Sequence, residues 1–472
     1  MKVKILSLIS ILLSFIFLSS LKTKNSPEVA KKPNIIFIAV DDLRPQLNCY
    51  GKNQITSPNI DDLASVSYTY ENAVCNFPVC GASRASLLTG LRPNKNRFKS
   101  FRTRMDVDAD DVFTLGEWFK KNEYFTLSLG KISHHTNDSP ESWSIPAWRA
   151  QKNWRDYQTK ENLMAADTNN NNGAAKAFEV GENLIDNYAD TKMVNKAIEK
   201  LNELTKKEQP FFMALGFLKP HLPFNAPKKY WDLYNEEDIE LAPNRFQPEN
   251  APNISMHKYG ELRKYTNIPS NKNVDVADST QKKLIHGYYA CVSYIDAEIG
   301  KLIKHLKKLD IYENSIIVLW GDHGWQLGEH NLWAKHCNYQ TSLKVPLLIK
   351  YPEQKKQKRI NTVVELLDIY PTLCELSNIE KPKHLQGKSL LSINNTDPKN
   401  LNGYSKYLSG ETVTSIENSY TEWRNRDNNL KANMMYDLIN DPKENTNISK
   451  NKENLSAITI FQNLLDSVRS LD

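Results

Sequence analysis

Five short, almost continuously apolar runs limit what this chain can fold into more than any other feature. They are Asn34 to Val40, Tyr124 to Leu129, Pro210 to Phe217, Ser315 to Trp320 and Val345 to Lys350. A strand with one wet face alternates polar and apolar, whereas a run that is apolar throughout reads as a strand covered on both faces. Amphipathic helices fit between the runs, at Thr114 to Lys121, Met193 to Leu204 and Thr280 to Leu309. The last carries Leu284, Tyr288, Cys291, Ile295, Ile299 and Leu302 at helical spacing. Strands alternating with helices predict an α/β chain with a large, mostly parallel central sheet flanked by helices.

Two segments, His135 to Tyr188 and Leu241 to Ser279, lack periodicity and read as long loops, either walls of a site or surface excursions. The pattern changes after Leu376. Strand-like pieces at Tyr420 to Trp423 and Met435 to Leu438, then a helix from Leu455 to Val468, predict a smaller C-terminal α+β domain over 385–472, behind a main domain over 28–384. A chain of 472 residues is longer than one core usually fills, which agrees with that division.

The start reads as a secretory signal peptide over 1–20: Lys2 and Lys4, an apolar stretch from Ile5 to Leu18, then Ser19-Ser20. The stretch is short for a membrane span, so the expectation is a protein secreted across the inner membrane and not an integral membrane protein. An uncleaved anchor is the alternative. The Lys- and Asn-rich composition suggests a bacterial, periplasmic setting. A formal net charge of +6, reduced by two if Lys2 and Lys4 leave with the leader, is spread along the chain and argues for no nucleic-acid partner. The six cysteines show no framework spacing, so no disulfide pairing is assigned.

The charged residues fall in a pattern. Asp41-Asp42 follow the first run, Lys131 and His134 the second, Lys219 and His221 the third, and Asp322-His323 the fourth. Ligands of open α/β sheets bind outside the carboxyl ends of strands, so all these groups converge on one edge. Singly, an Asp pair after a strand is more often a helix cap and a His in Lys-Pro-His a surface residue; four coincidences together point to a site. Asp41, Asp42 and Asp322 offer hard oxygens suited to Ca²⁺ or Mg²⁺, with calcium preferred, while His323 by itself would hint at zinc or manganese. Cys80 and Arg84 stand at i and i+4 where a loop enters a helix, which makes an anion site with a nucleophile in it. A buried packing cysteine is the plainer reading of Cys80.

The wording Cys80-Gly-Ala-Ser-Arg84 followed by Leu87-Leu-Thr-Gly90 resembles the signature of the type I, formylglycine-dependent sulfatases. So do Asn34 to Pro45, Gly130 to His134, Lys219-Pro-His221, Asp322 to His330 and Trp333-Ala-Lys335. The likeness is strongest to iduronate-2-sulfatase-like polysaccharide sulfatases and runs, with gaps, from Pro33 to Asn447. It implies an alkaline-phosphatase-like sulfatase fold and Ca²⁺ held by Asp41, Asp42, Asp322 and His323 together with residue 80. It also implies that a maturation enzyme converts Cys80 to formylglycine, whose hydrate has one hydroxyl to attack sulfur and a second to expel the sulfate. Arg84, Lys131 and Lys335 are then expected to neutralise the sulfate oxygens, His221 to protonate the departing sugar oxygen and His134 to accept the second hydroxyl's proton. Ala82 stands where many members carry proline. Lys219 is read as substrate-binding, and Trp325 as lying against the sugar ring, with a core aromatic in a tight turn as its alternative. The implied substrate is a sulfated polysaccharide or oligosaccharide, either a 2-O-sulfated uronic acid of a glycosaminoglycan or algal ulvan. The other readings are a phosphonate or phosphate monoester hydrolase and a noncatalytic sulfated-glycan binder.

Overall fold

The structure is a computed structural model describing residues 32–150, 154–168, 173–182, 184–352, 354–394, 396–425 and 427–470. The expected signal peptide over 1–20 lies outside the described residues. Among them, the central sheet has eight strands: β1 (Asn34–Val40), β2 (Tyr68–Val74), β3 (Phe125–Gly130), β4 (Phe211–Phe217), β5 (Ser315–Gly321), β6 (Lys344–Val345), β7 (Leu347–Lys350) and β8 (Lys358–Glu365). β1 lies between β4 and β5, parallel to both, and β3 extends that parallel set beyond β4. On the other side β7 runs antiparallel to β5 and β2, β6 runs antiparallel to β2, and β8 pairs with β2 in parallel.

The apolar runs have the cause the sequence suggested. Along β1, Ile36, Ile38 and Val40 enter one hydrophobic cluster while Ile35, Phe37 and Ala39 enter another on the opposite face. Each such fully buried large side chain contributes about 1.5–3 kcal/mol. Helix α1 (Cys80–Thr89) packs into the second cluster, whereas α2 (Ala189–Leu204) and α3 (Asp278–Lys308) cover the first. The strand from Val345 to Lys350 exists but runs antiparallel and is interrupted at Pro346. β2 and β8 were not foreseen. Their polar residues, Thr69, Glu71 and Asn72 in one and Lys358 and Arg359 in the other, hide the strand pattern.

The carboxyl ends of β1, β3, β4 and β5 lie along one edge, and Asp41, Lys131, Leu218 and Asp322 are the first residues beyond them or the next. Gly130 has φ +75° and lies against the Gly216 carbonyl, a close approach that a side chain would block as the chain turns out of β3 toward Lys131. After β4, the Asp190 carboxylate of α2 accepts hydrogen bonds from Leu218 N–H at 2.8 Å and Lys219 N–H at 3.0 Å, which anchors the loop carrying His221.

A second, antiparallel sheet follows, made of β9 (Gly403–Tyr407), β10 (Gly410–Thr414), β11 (Asn418–Arg424) and β12 (Leu430–Asp437). Helix α4 (Leu455–Arg469) packs Ile458, Phe461 and Leu465 against Tyr404, Val413 and Tyr420. Trp423, Met434 and Tyr436 meet Leu332, Cys337 and Tyr339 of the preceding part, and the chain from Pro33 onward forms one compact unit. No helix among the described residues is long and apolar enough to cross a membrane.

Candidate active site

Helix α1 begins at Cys80 after an extended Val79 whose side chain does not cap it, so its first N–H groups and the positive end of its dipole lie at the site. The Cys80 Sγ lies 3.3 Å from His134 Nδ1. Burial works to raise the thiol pKa, but Lys131 above all, with His323 and Lys335, brings it below the ordinary thiol value. Burial, then the Lys131 ammonium, pushes His134 down to about 3, so its imidazole is neutral near pH 7.

Asp41, Cys80, Asp322 and His323 bring one ligand atom each within 4.8 Å of one another, all from buried side chains. Asp42 adds a further carboxylate from a backbone with φ 61°, a sparsely populated region for a residue with a side chain. Its N–H donates to Asp322 Oδ1 at 3.0 Å. His323 Nδ1 lies 3.0 Å from the Gly324 carbonyl, a pure acceptor, which assigns the proton to Nδ1. His323 Nε2 lies 3.4 Å from Asp42 Oδ1 and 3.6 Å from Asp322 Oδ1. Lys131, Arg84 and Lys335 pair with these carboxylates from outside the cluster, and some of its ligand atoms are left over. Consistent with that, His323 Nε2 and Asp42 Oδ2 are buried without a hydrogen-bond partner among the described residues. Burial pushes the Asp42 carboxyl up to about 8 despite His221 and Lys335 nearby. Asp41 goes the other way: burial opposes ionisation, yet Lys131, then His221 and Arg84, hold it well below the usual carboxylate range. The residues fit a divalent cation.

The expected cations divide into two groups. Lys131 pairs with Asp41, and Lys335 donates to Asp42 Oδ1 at 3.0 Å and Glu261 Oε1 at 3.3 Å; both line a cavity of about 530 Å³ above Cys80. Arg84 lies behind the carboxylates. Its guanidinium is fully buried, with Nε 2.8 Å from Asp322 Oδ2, Nη2 3.4 Å from Asp41 Oδ1 and Nη1 bonded to the Lys131 and Ile132 carbonyls. These bonds turn it away from the cavity, where a sulfate-neutralising group was expected. Lys219, read as substrate-binding, is likewise buried and donates to the His221 and Pro223 carbonyls at 3.2 and 2.7 Å, which makes it a brace of the loop. Trp325 is 1% exposed, with Phe224 and His221 beside it and Lys335 Nζ 5.0 Å above its ring, and this packing leaves no face for a sugar.

His221 lines the cavity, its Nδ1 2.7 Å from the Leu222 carbonyl and its Nε2 3.3 Å from Glu261 Oε1 and 4.0 Å from Asp42 Oδ2. Glu261, Trp154, Arg149, His257 and His336 also line the cavity and were not foreseen. The first four belong to the two aperiodic segments, and no spacing marks them out. The only signal was that long aperiodic loops often wall a site.

Comparison with known proteins agrees with this geometry. The family model described as Sulfatase matches residues 33–379, and that described as N-sulphoglucosamine sulphohydrolase, C-terminal, matches residues 328–470. Iduronate 2-sulfatase of Homo sapiens is 32% identical over 74% of this chain and 70% of its own length. An ulvan-active sulfatase of Formosa agariphila is 30% identical over 84% of this chain and 73% of its own. Among solved structures, BT4656 in complex with its substrate D-glucosamine-2-N,6-O-disulfate superposes with a TM-score of 0.74 at 21% identity, covering 93% of this chain and 98% of that one, and so shares the fold. With a buried cation-type cluster at the strand ends, a cysteine at a helix start and a family match over most of its length, the chain belongs to the sulfatase family and is a sulfuric ester hydrolase.

Proposed function

We propose that this enzyme removes sulfate esters from a sulfated polysaccharide or its oligosaccharides, with residue 80 matured to formylglycine and Ca²⁺ held by Asp41, Asp42, Asp322 and His323. The observation carrying this reading is the convergence of Asp41, Asp322 and His323 ligand atoms with Cys80, where His323 Nε2 and the neighbouring Asp42 Oδ2 are buried without a hydrogen-bond partner among the described residues. A hydrated aldehyde at residue 80 would supply one hydroxyl to attack sulfur and a second whose deprotonation frees the sulfate. Calcium would supply charge to draw the sulfate oxygens in and to acidify the attacking hydroxyl.

The remaining work falls to the chain's own side chains. Lys131 and Lys335 bind the sulfate oxygens and neutralise charge as the ester bond breaks. His134, neutral and 3.3 Å from the atom at position 80, takes the proton there. His221, with Nδ1 held by the Leu222 carbonyl, presents Nε2 to the cavity and protonates the departing sugar oxygen. Arg84 acts through Asp41 and Asp322, fixing the cluster's shape.

The substrate reading is a sulfated glycan with uronic acid, either 2-O-sulfated in a glycosaminoglycan or in ulvan, and the two relatives support it together with the positive cavity wall at Arg149 and Lys264. Export and maturation by a formylglycine-generating enzyme belong to the same reading, supported by the leader-like start and the Cys80 context. The test is release of inorganic sulfate from a panel of defined sulfated oligosaccharides, beside an aryl sulfate and a phosphonate monoester. Sulfate release from a glycan is expected. Faster turnover of the phosphonate ester, or binding of the glycan without release, contradicts the proposal.

A further inference from the structure

The cavity above Cys80 carries many charged side chains, and two of its lining residues are large aromatics left in water: Trp154 is 41% exposed and Phe101 49% exposed. Single exposed aromatics scattered over a surface need no explanation. These two are placed differently. The Trp154 ring stands edge-on to His221 at 5.1 Å, and the Phe101 ring edge-on to His134 at 5.8 Å. Each is therefore one ring outward from a histidine of the reaction centre, and the two histidines are those assigned to opposite proton transfers.

A guanidinium lies over each ring, that of Arg102 being 5.5 Å from the Phe101 centroid. The Arg155 guanidinium lies 4.4 Å from the Trp154 ring, which fixes the indole plane. The Phe101 main chain passes against the start of α1, since a Cβ on Gly81 would come within 2.5 Å of the Phe101 carbonyl oxygen. The glycine thus lets a loop with an exposed phenyl ring pass beside Cys80. A pyranose has apolar C–H faces, and rigid aromatic faces bury them with little loss of side-chain entropy. Trp325, enclosed by Phe224 and Lys335, offers no such face.

We infer that Trp154 and Phe101 are the sugar-stacking residues of this site, Trp154 for the pyranose whose oxygen His221 protonates and Phe101 for a neighbouring sugar on the His134 side. The inference rests on the glycan reading above and adds the recognition element that reading lacks.

The test uses the full chain, first as active enzyme and then with Cys80→Ala to stop turnover. A sulfated oligosaccharide that the wild type desulfates is titrated by calorimetry against the Cys80→Ala protein and against that protein carrying Trp154→Ala, Trp154→Phe or Phe101→Ala. Inorganic sulfate, which has no ring, is titrated in parallel. Trp154→Ala is expected to weaken oligosaccharide binding about tenfold and Phe101→Ala a few-fold, with Trp154→Phe recovering part of the loss. Sulfate affinity and Tm should stay unchanged, since both side chains are half in solvent. Unaltered oligosaccharide affinity in both alanine variants, or an equal loss for inorganic sulfate, overturns the inference while the glycan reading stands. A wild type that cleaves an aryl sulfate but no sulfated oligosaccharide overturns the glycan reading and this inference with it.

Discussion

Replacing Arg84 tests whether its guanidinium serves the carboxylates or the substrate. Its Nε pairs with Asp322 at 2.8 Å and its Nη2 with Asp41 at 3.4 Å, with all three side chains shielded from solvent, and Nη1 satisfies the Lys131 and Ile132 carbonyls. Removing one partner of a buried ion pair costs about 3–5 kcal/mol, because the other charge is left uncompensated. Arg84→Ala should lose about that much stability in metal-free protein, and less with calcium bound, because the cation satisfies the same carboxylates. Arg84→Lys keeps the charge but cannot reproduce the planar fork, so a smaller loss of about 1–3 kcal/mol is expected. Urea unfolding of each variant, with calcium and with a chelator, measures both quantities, and calorimetry with inorganic sulfate measures the substrate side. Parental stability in both variants combined with a large loss of sulfate affinity would refute the reasoning and place the guanidinium at the sulfate.

Three further outcomes follow from the same geometry. Chelation should abolish sulfate release and lower Tm, with calcium at a hundred times its Kd restoring about 2.7 kcal/mol; a chelated enzyme at full rate would contradict the ligand set. Trp325→Ala should cost about 3–5 kcal/mol, because the indole is 1% exposed, and should impair aryl sulfate and glycan alike. A loss confined to the glycan would instead give Trp325 the sugar contact. Burial pushes the Glu444 carboxyl from 4.5 up to about 8, so the native state holds its proton more tightly than the unfolded chain does. Its stabilising contribution is then complete below about pH 4.5 and fades as pH rises through about 8, and Glu444→Gln should flatten the fall in Tm across that window.

Much of the site was legible because its residues obey one geometric rule. Asp41, Lys131 and Asp322 leave parallel strands whose apolar runs are plain in the sequence, and Cys80 opens a helix with a distinctive wording. The direction in which a side chain points was not legible. Arg84 shares a helix with Cys80, yet its reach to Asp41 and Asp322 depends on how α1 packs beneath β1 and β5. Trp325 follows Asp322 by three residues, and the arrival of Phe224 from a distant segment, with Lys335 folded back over the ring, encloses it. Glu261 comes from an aperiodic loop and reaches His221 and Lys335 through tertiary contact alone. β8 begins with Lys358 and Arg359, exposed on the sheet's margin, where burial does not select apolar residues.

The most direct test is mass spectrometry of the peptide containing Cys80, made on the same samples whose sulfate release is measured, after expression with and without a formylglycine-generating enzyme. The account predicts that residue 80 carries the aldehyde or its hydrate in active samples and that specific activity rises in proportion to the converted fraction. Full activity from protein whose residue 80 is wholly unmodified cysteine would contradict it.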